Sequence, residues 1–187
     1  DLTLEPDITA PGGNIYSTRD DGTYGVMSGT SMAAPNISGL TALVMQHALK
    51  TYESNDYRSL VQNMLMSTAT PLGYGAASGL YYSPRWQGSG LANAYAAITS
   101  EVYLTVKGSD TPKVSLGDDA DKKGAYAFTY TVTNMGAGKA YYSLSTVVQT
   151  EDFTAYDAYE GKYFMSSSPR ALYADAVELS GSLIPTF

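Results

Sequence analysis

Among the residues able to do chemistry, the run Gly29-Thr30-Ser31-Met32-Ala33-Ala34-Pro35 stands out, because it sets one serine among small neighbours where helical periodicity begins. Apolar residues at Ile37, Leu40, Leu43, Val44 and Leu49 predict a helix from Ser31 to about Lys50. A serine at a helix start is well placed as a nucleophile. Its backbone N–H points outward, and the positive end of the helix dipole favours developing negative charge. Gly29 and the Ala33-Ala34 pair leave room for a substrate and for close packing behind it. Serine at such a position is also a common N-cap that only satisfies first-turn donors, so position alone leaves both roles open. Pro35 is expected in the first turn, where its missing donor costs nothing.

A serine nucleophile needs a base within about 3 Å. The chain has a single histidine, His47, sixteen residues beyond Ser31 on the same predicted helix. At 1.5 Å per residue the two lie about 24 Å apart, which excludes His47 as the base, and Lys50 fails for the same reason. His47 reads as a partly exposed residue near the helix C-terminus, where a cation is favoured. With no cysteine, disulfides, thiolate ligands and cysteine nucleophiles are excluded. Asp7 reads as a structural hydrogen-bonding group. Asp118, Asp119 and Asp121 lack the Glu and Gly spacing of a calcium loop and read as a solvated turn. No metal site and no cofactor is expected. Trp86, beside Arg85, reads as a packed loop anchor.

These residues need a scaffold, and the pattern changes near residue 100. Leu4 to Ala10 predicts a short strand running into the Pro11-Gly12-Gly13 turn. A second helix starts after Asn55-Asp56 and runs to about Thr68, burying Leu60, Val61, Met64 and Leu65. Tyr74 to Gly90 reads as an extended loop, and Leu91 to Ile98 as a short Ala-rich helix. Beyond it, Val102 to Val106 reads as a strand. Tyr126, Phe128, Tyr130 and Val132 alternate with smaller residues as a half-buried strand does. A turn over Asn134–Lys139 should return the chain as Tyr141–Thr150. Glu151 to Tyr163 reads as an acidic, aromatic loop, with short strands after it around Ala171–Tyr173 and Ala176–Leu179. The expected fold is α/β over residues 1–100, then a β-sandwich over residues 101–187 that is too short to close, since seven strands need about 100 residues.

Composition narrows the function classes. At 44% hydrophobic and 16% charged residues the chain is globular in type and not disordered. Its net charge of −7 has the wrong sign for a nucleic-acid binder. No stretch is apolar for long enough to cross a bilayer, and the start is no signal peptide. Seventeen tyrosines against four phenylalanines suit half-exposed β surfaces, where the ring is covered and the hydroxyl stays wet.

The run Gly29–Pro35 resembles the active-serine signature of the subtilisin-like serine peptidases. The resemblance extends upstream to Pro6-Asp7-Ile8-Thr9-Ala10-Pro11-Gly12 and downstream to Gly88-Ser89-Gly90-Leu91-Ala92-Asn93-Ala94. Residues 101–187, chiefly Ser168-Pro169-Arg170-Ala171-Leu172-Tyr173, resemble the start of the fibronectin type III-like domain of large cell-envelope subtilases such as the lactocepins. The resemblance implies a C-terminal portion of a subtilisin-like parallel-sheet domain followed by an incomplete fibronectin type III-like sandwich. It implies that Ser31 attacks a peptide carbonyl after a histidine takes its proton and an aspartate orients that histidine. The Ser31 N–H, an asparagine side chain and the Thr30 hydroxyl would bind the oxyanion.

The chain departs from this pattern in one respect. In subtilisins the order is Asp, His, Ser, whereas no histidine precedes Ser31 here, and Asn14 lies in the wrong context for the oxyanion asparagine. The expectation is therefore a fragment of a secreted or cell-wall-associated serine endopeptidase acting on peptide or protein substrates. Alone it should be inactive, because the Asp, His and oxyanion Asn are missing. It should pair with the missing N-terminal part of the catalytic domain or self-associate, since so apolar a helix belongs inside an α/β fold. The alternative class is a non-catalytic surface adhesion or scaffold module that retains the serine segment as structure.

Overall fold

The computed structural model describes residues 5–75, 79–117, 119–143, 146–159 and 162–171. They divide into two compact units, Asp1–Leu72 with Pro84–Tyr141, and Gly73–Ser83 with Tyr142–Phe187. The strand expected around Ala176–Leu179 and the end of the Ser168–Tyr173 run lie outside the described residues.

The first unit is organised by helix α1, Thr30–Thr51, rich in the Ala, Leu and Met that favour helices. It ends at Tyr52, whose N–H reaches the Ala48 carbonyl at 2.9 Å. Helix α2, Tyr57–Ser67, begins at Asp56. One carboxylate oxygen of Asp56 accepts the Arg58 and Ser59 N–H groups at 3.0 and 3.1 Å, and the other accepts the Ser59 hydroxyl at 2.6 Å. The Ser59 hydroxyl and N–H, followed by Arg58, hold the Asp56 carboxyl below its ordinary pKa. A short helix α3, Pro84–Gln87, interrupts what the sequence presents as a plain loop. Helix α4, Ala94–Thr99, is capped by Asn93, whose side chain accepts the Ala96 N–H at 3.0 Å. Val44 and Ala48 of α1, Leu60, Val61, Met64 and Leu65 of α2 and Ala97 of α4 form one buried cluster. Fully burying each of the larger side chains stabilises by about 1.5–3 kcal/mol. On the other side of α1, Leu43 and Leu49 stay more than half exposed.

The expected strand before Pro11 narrows to a single bridge. Thr9 pairs in parallel with Leu91, and Leu91 pairs on its other side with Thr70 in antiparallel sense. Four backbone hydrogen bonds of 2.8–3.0 Å fix this narrow ladder. The remaining described pairings are antiparallel: an isolated bridge between Gly73 and Tyr81, and three two-stranded sheets. In the first, β1 (Ile15–Thr18) and β2 (Tyr24–Met27) form a hairpin, which the sequence reading did not anticipate. In the second, β3 (Val102–Val106) pairs with β4 (Tyr130–Asn134), from Val102↔Asn134 to Val106↔Tyr130. This corrects the expectation that the second of these strands returns to Tyr141–Thr150. Every side chain of β3 is half-buried, and the Leu104 N–H reaches the Ser67 hydroxyl of α2 at 2.9 Å, so β3 presents a fixed edge to which β4 adds.

In the second unit, β5 (Gln149–Tyr159) and β6 (Lys162–Ala171) form a long hairpin with a register shift between Asp157 and Tyr159. This corrects the loop expected over Glu151–Tyr163. Acidic residues there suggest loop, yet Asp152, opposite Ser168, pairs diagonally with Arg170 at 3.2 Å, an ion pair that an edge strand accommodates.

The Lys113 ammonium ties the loop after β3 to the N-terminal segment by ion pairs to Asp7 and, at 3.2 Å, to Glu5. Burial pulls the Lys113 pKa down, but the Asp7 and Glu5 hydrogen bonds and charges outweigh it and leave the pKa above the ordinary lysine value. A raised folded pKa means the contribution is fully present below about pH 10.4 and fades as the pH rises through the folded value. Lys113→Met should therefore cost about 1 kcal/mol at pH 7. Urea midpoints of the two proteins should converge as the pH rises through the folded Lys113 pKa. Asn93→Ala, which leaves the Ala96 N–H without its cap, should cost about 1 kcal/mol in the same assay, with faster amide exchange confined to the first turn of α4.

Candidate active site

The head of α1 is fixed by a close approach of two backbones. The Gly29 N–H donates to the Gly12 carbonyl at 2.8 Å, and a Cβ on Gly12 would stand 2.7 Å from the Gly29 carbonyl oxygen and 3.1 Å from the Ala33 Cβ. Gly29 itself occupies the N-cap position with φ 155° and ψ 167°, a region that side chains other than glycine avoid. A third tie comes from Asn36, whose side-chain N–H₂ donates to the Pro11 and Met32 carbonyls, both at 3.0 Å. The β1–β2 hairpin fills the chain between these two segments, and the Asn14 N–H closes its base on the Ser28 hydroxyl at 2.8 Å. Asn14 is thus a turn residue with φ 53°, in keeping with its exclusion from the oxyanion site.

This frame places Thr30 and Ser31 as the first two residues of α1, both exposed. Ser31 is not the cap. Gly29 fills that position and makes no side-chain cap hydrogen bond. The backbone N–H of Ser31 has no acceptor within the helix, as for all first-turn donors. A serine hydroxyl and a free N–H therefore stand together at the positive end of a six-turn helix, a geometry suited to attack on a carbonyl and to holding the resulting oxyanion.

Pro35 departs from expectation. It is the sixth residue of the helix, beyond the first turn, and its missing N–H deprives the Ser31 carbonyl of its i+4 partner. In a regular helix interior such a proline costs about 3 kcal/mol. Here the ladder resumes at once, with Asn36 adding its side-chain bond to the Met32 carbonyl.

The structure separates the other candidates from Ser31. His47 lies on the same unbroken helix, about 24 Å along its axis, edge-on to the Tyr52 ring at 5.7 Å. Lys50 sits in the last turn. The Asp7 carboxylate is taken up by Lys113 and by the Gln62 side chain at 3.3 Å, the structural role expected of it. Asp119 accepts the Lys123 N–H at 2.9 Å and the Gly124 N–H, whose hydrogen bonds, Gly124 first, lower its pKa. Asp121 pairs with Lys123 at 2.8 Å. Asp118 lies outside the described residues.

Trp86 is not the buried anchor expected of it, since its side chain is 58% exposed on α3. The anchor is its neighbour Gln87, 5% exposed, whose side-chain oxygen accepts the Leu72 N–H at 2.6 Å. The roles of Gln87 and Asn36 had no signal in the sequence, because each depends on a backbone group brought in from a distant segment.

Residues 1–90 match the family model of Peptidase S8, the subtilase family. The C5a peptidase of Streptococcus pyogenes serotype M3 is 34% identical over 176 residues, covering 92% of this chain and 14% of that protein. The PII-type proteinase of Lacticaseibacillus paracasei is 37% identical over 144 residues, covering 70% of this chain and 8% of that protein. Among solved structures, the patellamide maturation protease PatA aligns at 30% identity with a TM-score of 0.40, over 49% of this chain and 32% of that one. The chain thus spans only a small part of the length of the curated relatives it matches. With the Gly29–Pro35 run at the head of α1 inside the matched segment, this chain belongs, over residues 1–90, to the subtilase family of serine peptidases.

Proposed function

We propose that these residues carry the nucleophile of a subtilisin-like serine endopeptidase. The observation that carries the reading is the state of Ser31: at the head of a long helix, with a glycine as cap, neither its hydroxyl nor its N–H has a hydrogen-bond partner among the described residues. The Ser31 hydroxyl oxygen attacks the scissile carbonyl as a histidine base takes its proton, and that base returns the proton to the leaving amine. The tetrahedral oxyanion is held by the Ser31 N–H, the Thr30 hydroxyl and an asparagine side chain. The base, the aspartate that orients it and the asparagine come from polypeptide outside these 187 residues, because His47 lies far beyond proton-transfer range of Ser31.

The same reading gives the parent protein peptide or protein substrates and an extracellular location, secreted or attached to the cell wall. It makes residues 101–187 an incomplete fibronectin type III-like module after a catalytic portion ending near residue 100. Two curated relatives that are themselves a peptidase and a proteinase support it.

The purified 187-residue chain should hydrolyse no peptide substrate, and a Ser31-dependent turnover would refute that. When the chain is joined to its upstream sequence, a fluorophosphonate probe should label Ser31, with the adduct read by peptide mass spectrometry. Ser31→Ala should abolish labelling and turnover. Thr30→Val should lower kcat about tenfold, the value of one modest hydrogen bond in the transition state, with KM little changed. A folded assembly that the probe leaves unlabelled would favour the scaffold module instead.

A further inference from the structure

Two consecutive carbonyls of the N-terminal segment grip the head of α1 on either side of Ser31. The Gly12 carbonyl accepts the Gly29 N–H at 2.8 Å, and the Pro11 carbonyl accepts the Asn36 side-chain N–H₂ at 3.0 Å. Gly29 is the cap and Asn36 the seventh residue of α1, so the two grips stand about 10 Å apart along the helix axis, with Ser31 between them. The helix is weakest inside that interval. Pro35 leaves the Ser31 carbonyl without its i+4 donor, which opens the ladder one residue before Asn36. The same Asn36 amide reinforces the far side of the gap, donating to the next carbonyl along, that of Met32, at 3.0 Å. Both partners are carbonyl oxygens, which only accept, so the amide nitrogen and not its oxygen must face them. A side chain without two donors at that point leaves at least one of these links unmade.

We propose that Asn36 is a positioning residue for the Ser31 nucleophile, a role that rests on reading Ser31 as the attacking group. It acts through the Pro11 and Met32 backbones and not on the reacting atoms. With Asn36 in place, the turn from Thr30 to Ala34 is held at both ends. Without it, that turn is held by the Gly29 bond and by the hairpin base at Asn14 and Ser28, all on one side of Ser31, and it pivots at the gap that Pro35 leaves. A displacement of about 1 Å at a reacting group costs about a hundredfold in rate. The Asn36 side chain is exposed, so water replaces its hydrogen bonds at little cost to stability. Loss of the amide therefore falls on turnover and spares the fold. Ser38 supplies a contrast, because its hydroxyl donates to the Ala34 carbonyl at 3.2 Å, a bond that stays within the helix.

The test uses the chain joined to its upstream sequence and measures kcat, KM, the rate of fluorophosphonate labelling and amide exchange. Asn36→Ala should lower kcat and the labelling rate about tenfold or more, with KM little changed and with Val44 and Leu60 as protected as in the wild type. Asn36→Asp has the same shape but, when ionised, no proton to donate, and it sets a negative charge against two carbonyl oxygens. Near pH 8 it should be at least as slow as Asn36→Ala. Its neutral carboxyl donates one hydrogen bond, so its kcat relative to the wild type at the same pH should rise about threefold or more as the pH falls from about 8 to about 5. The ratio for Asn36→Ala should stay flat, and Ser38→Ala should keep the wild-type kcat. Unchanged kcat and labelling in Asn36→Ala would overturn the proposal and leave Ser31 as the nucleophile. So would a fall in kcat matched by lost protection at Val44 and Leu60, equal pH profiles for the two Asn36 variants, or an equal loss in Ser38→Ala. A folded wild-type assembly that the probe leaves unlabelled would overturn both readings together.

Discussion

The contact between Gly12 and Gly29 constrains the rest of the first unit, because two backbones meet there at a distance that leaves no space for a side chain on Gly12. That approach sets where α1 begins, and with it which residue becomes the cap. A glycine cap offers no side-chain acceptor, so the burden of holding the helix head passes to the Gly12 carbonyl and to Asn36. The serine that follows is released from structural duty. The chemistry proposed for Ser31 thus depends on a packing relation between two small residues in a neighbouring turn.

The opposite end of α1 is governed by burial. Val44 and Ala48 are held in the cluster with α2 and α4, which fixes the helix axis over its second half. Because the helix is continuous from Thr30 to Thr51, rigidity at this end is transmitted to the other. Leu43 and Leu49, on the uncovered side, are the exception.

Much of the first unit is legible in the residues alone. The apolar spacing from Ile37 to Leu49 locates α1, Asp56 locates the start of α2, and helix length by itself excludes the single histidine as a partner of Ser31. What failed were inferences that needed a partner. The short turn between them favours pairing the strand around Tyr130 with Tyr141–Thr150, whereas its partner is the half-buried edge of β3, farther back in sequence. The acidity of Glu151–Tyr163 suggests a loop, although alternate residues of a two-stranded hairpin can carry charge on open faces. The size of Trp86 suggests it as the loop anchor, yet the Leu72 N–H needs an acceptor, which the Gln87 amide supplies and an indole ring cannot.

The ladder joining Thr9, Leu91 and Thr70 bears on the order in which this chain folds. Helices α1 and α2 are neighbours in sequence and can pair as soon as both exist, whereas Thr9 and Leu91 stand about eighty residues apart and must close a long loop for very few hydrogen bonds. Contacts of that kind form late, after the helical cluster has reduced the search. The segment ending in Gly12 follows Thr9 directly, so the ladder adds a long-range anchor to the local hairpin ties that hold it against Gly29. The surroundings of the exposed serine are thus local in sequence, and only their anchorage to Leu91 needs the long loop to close.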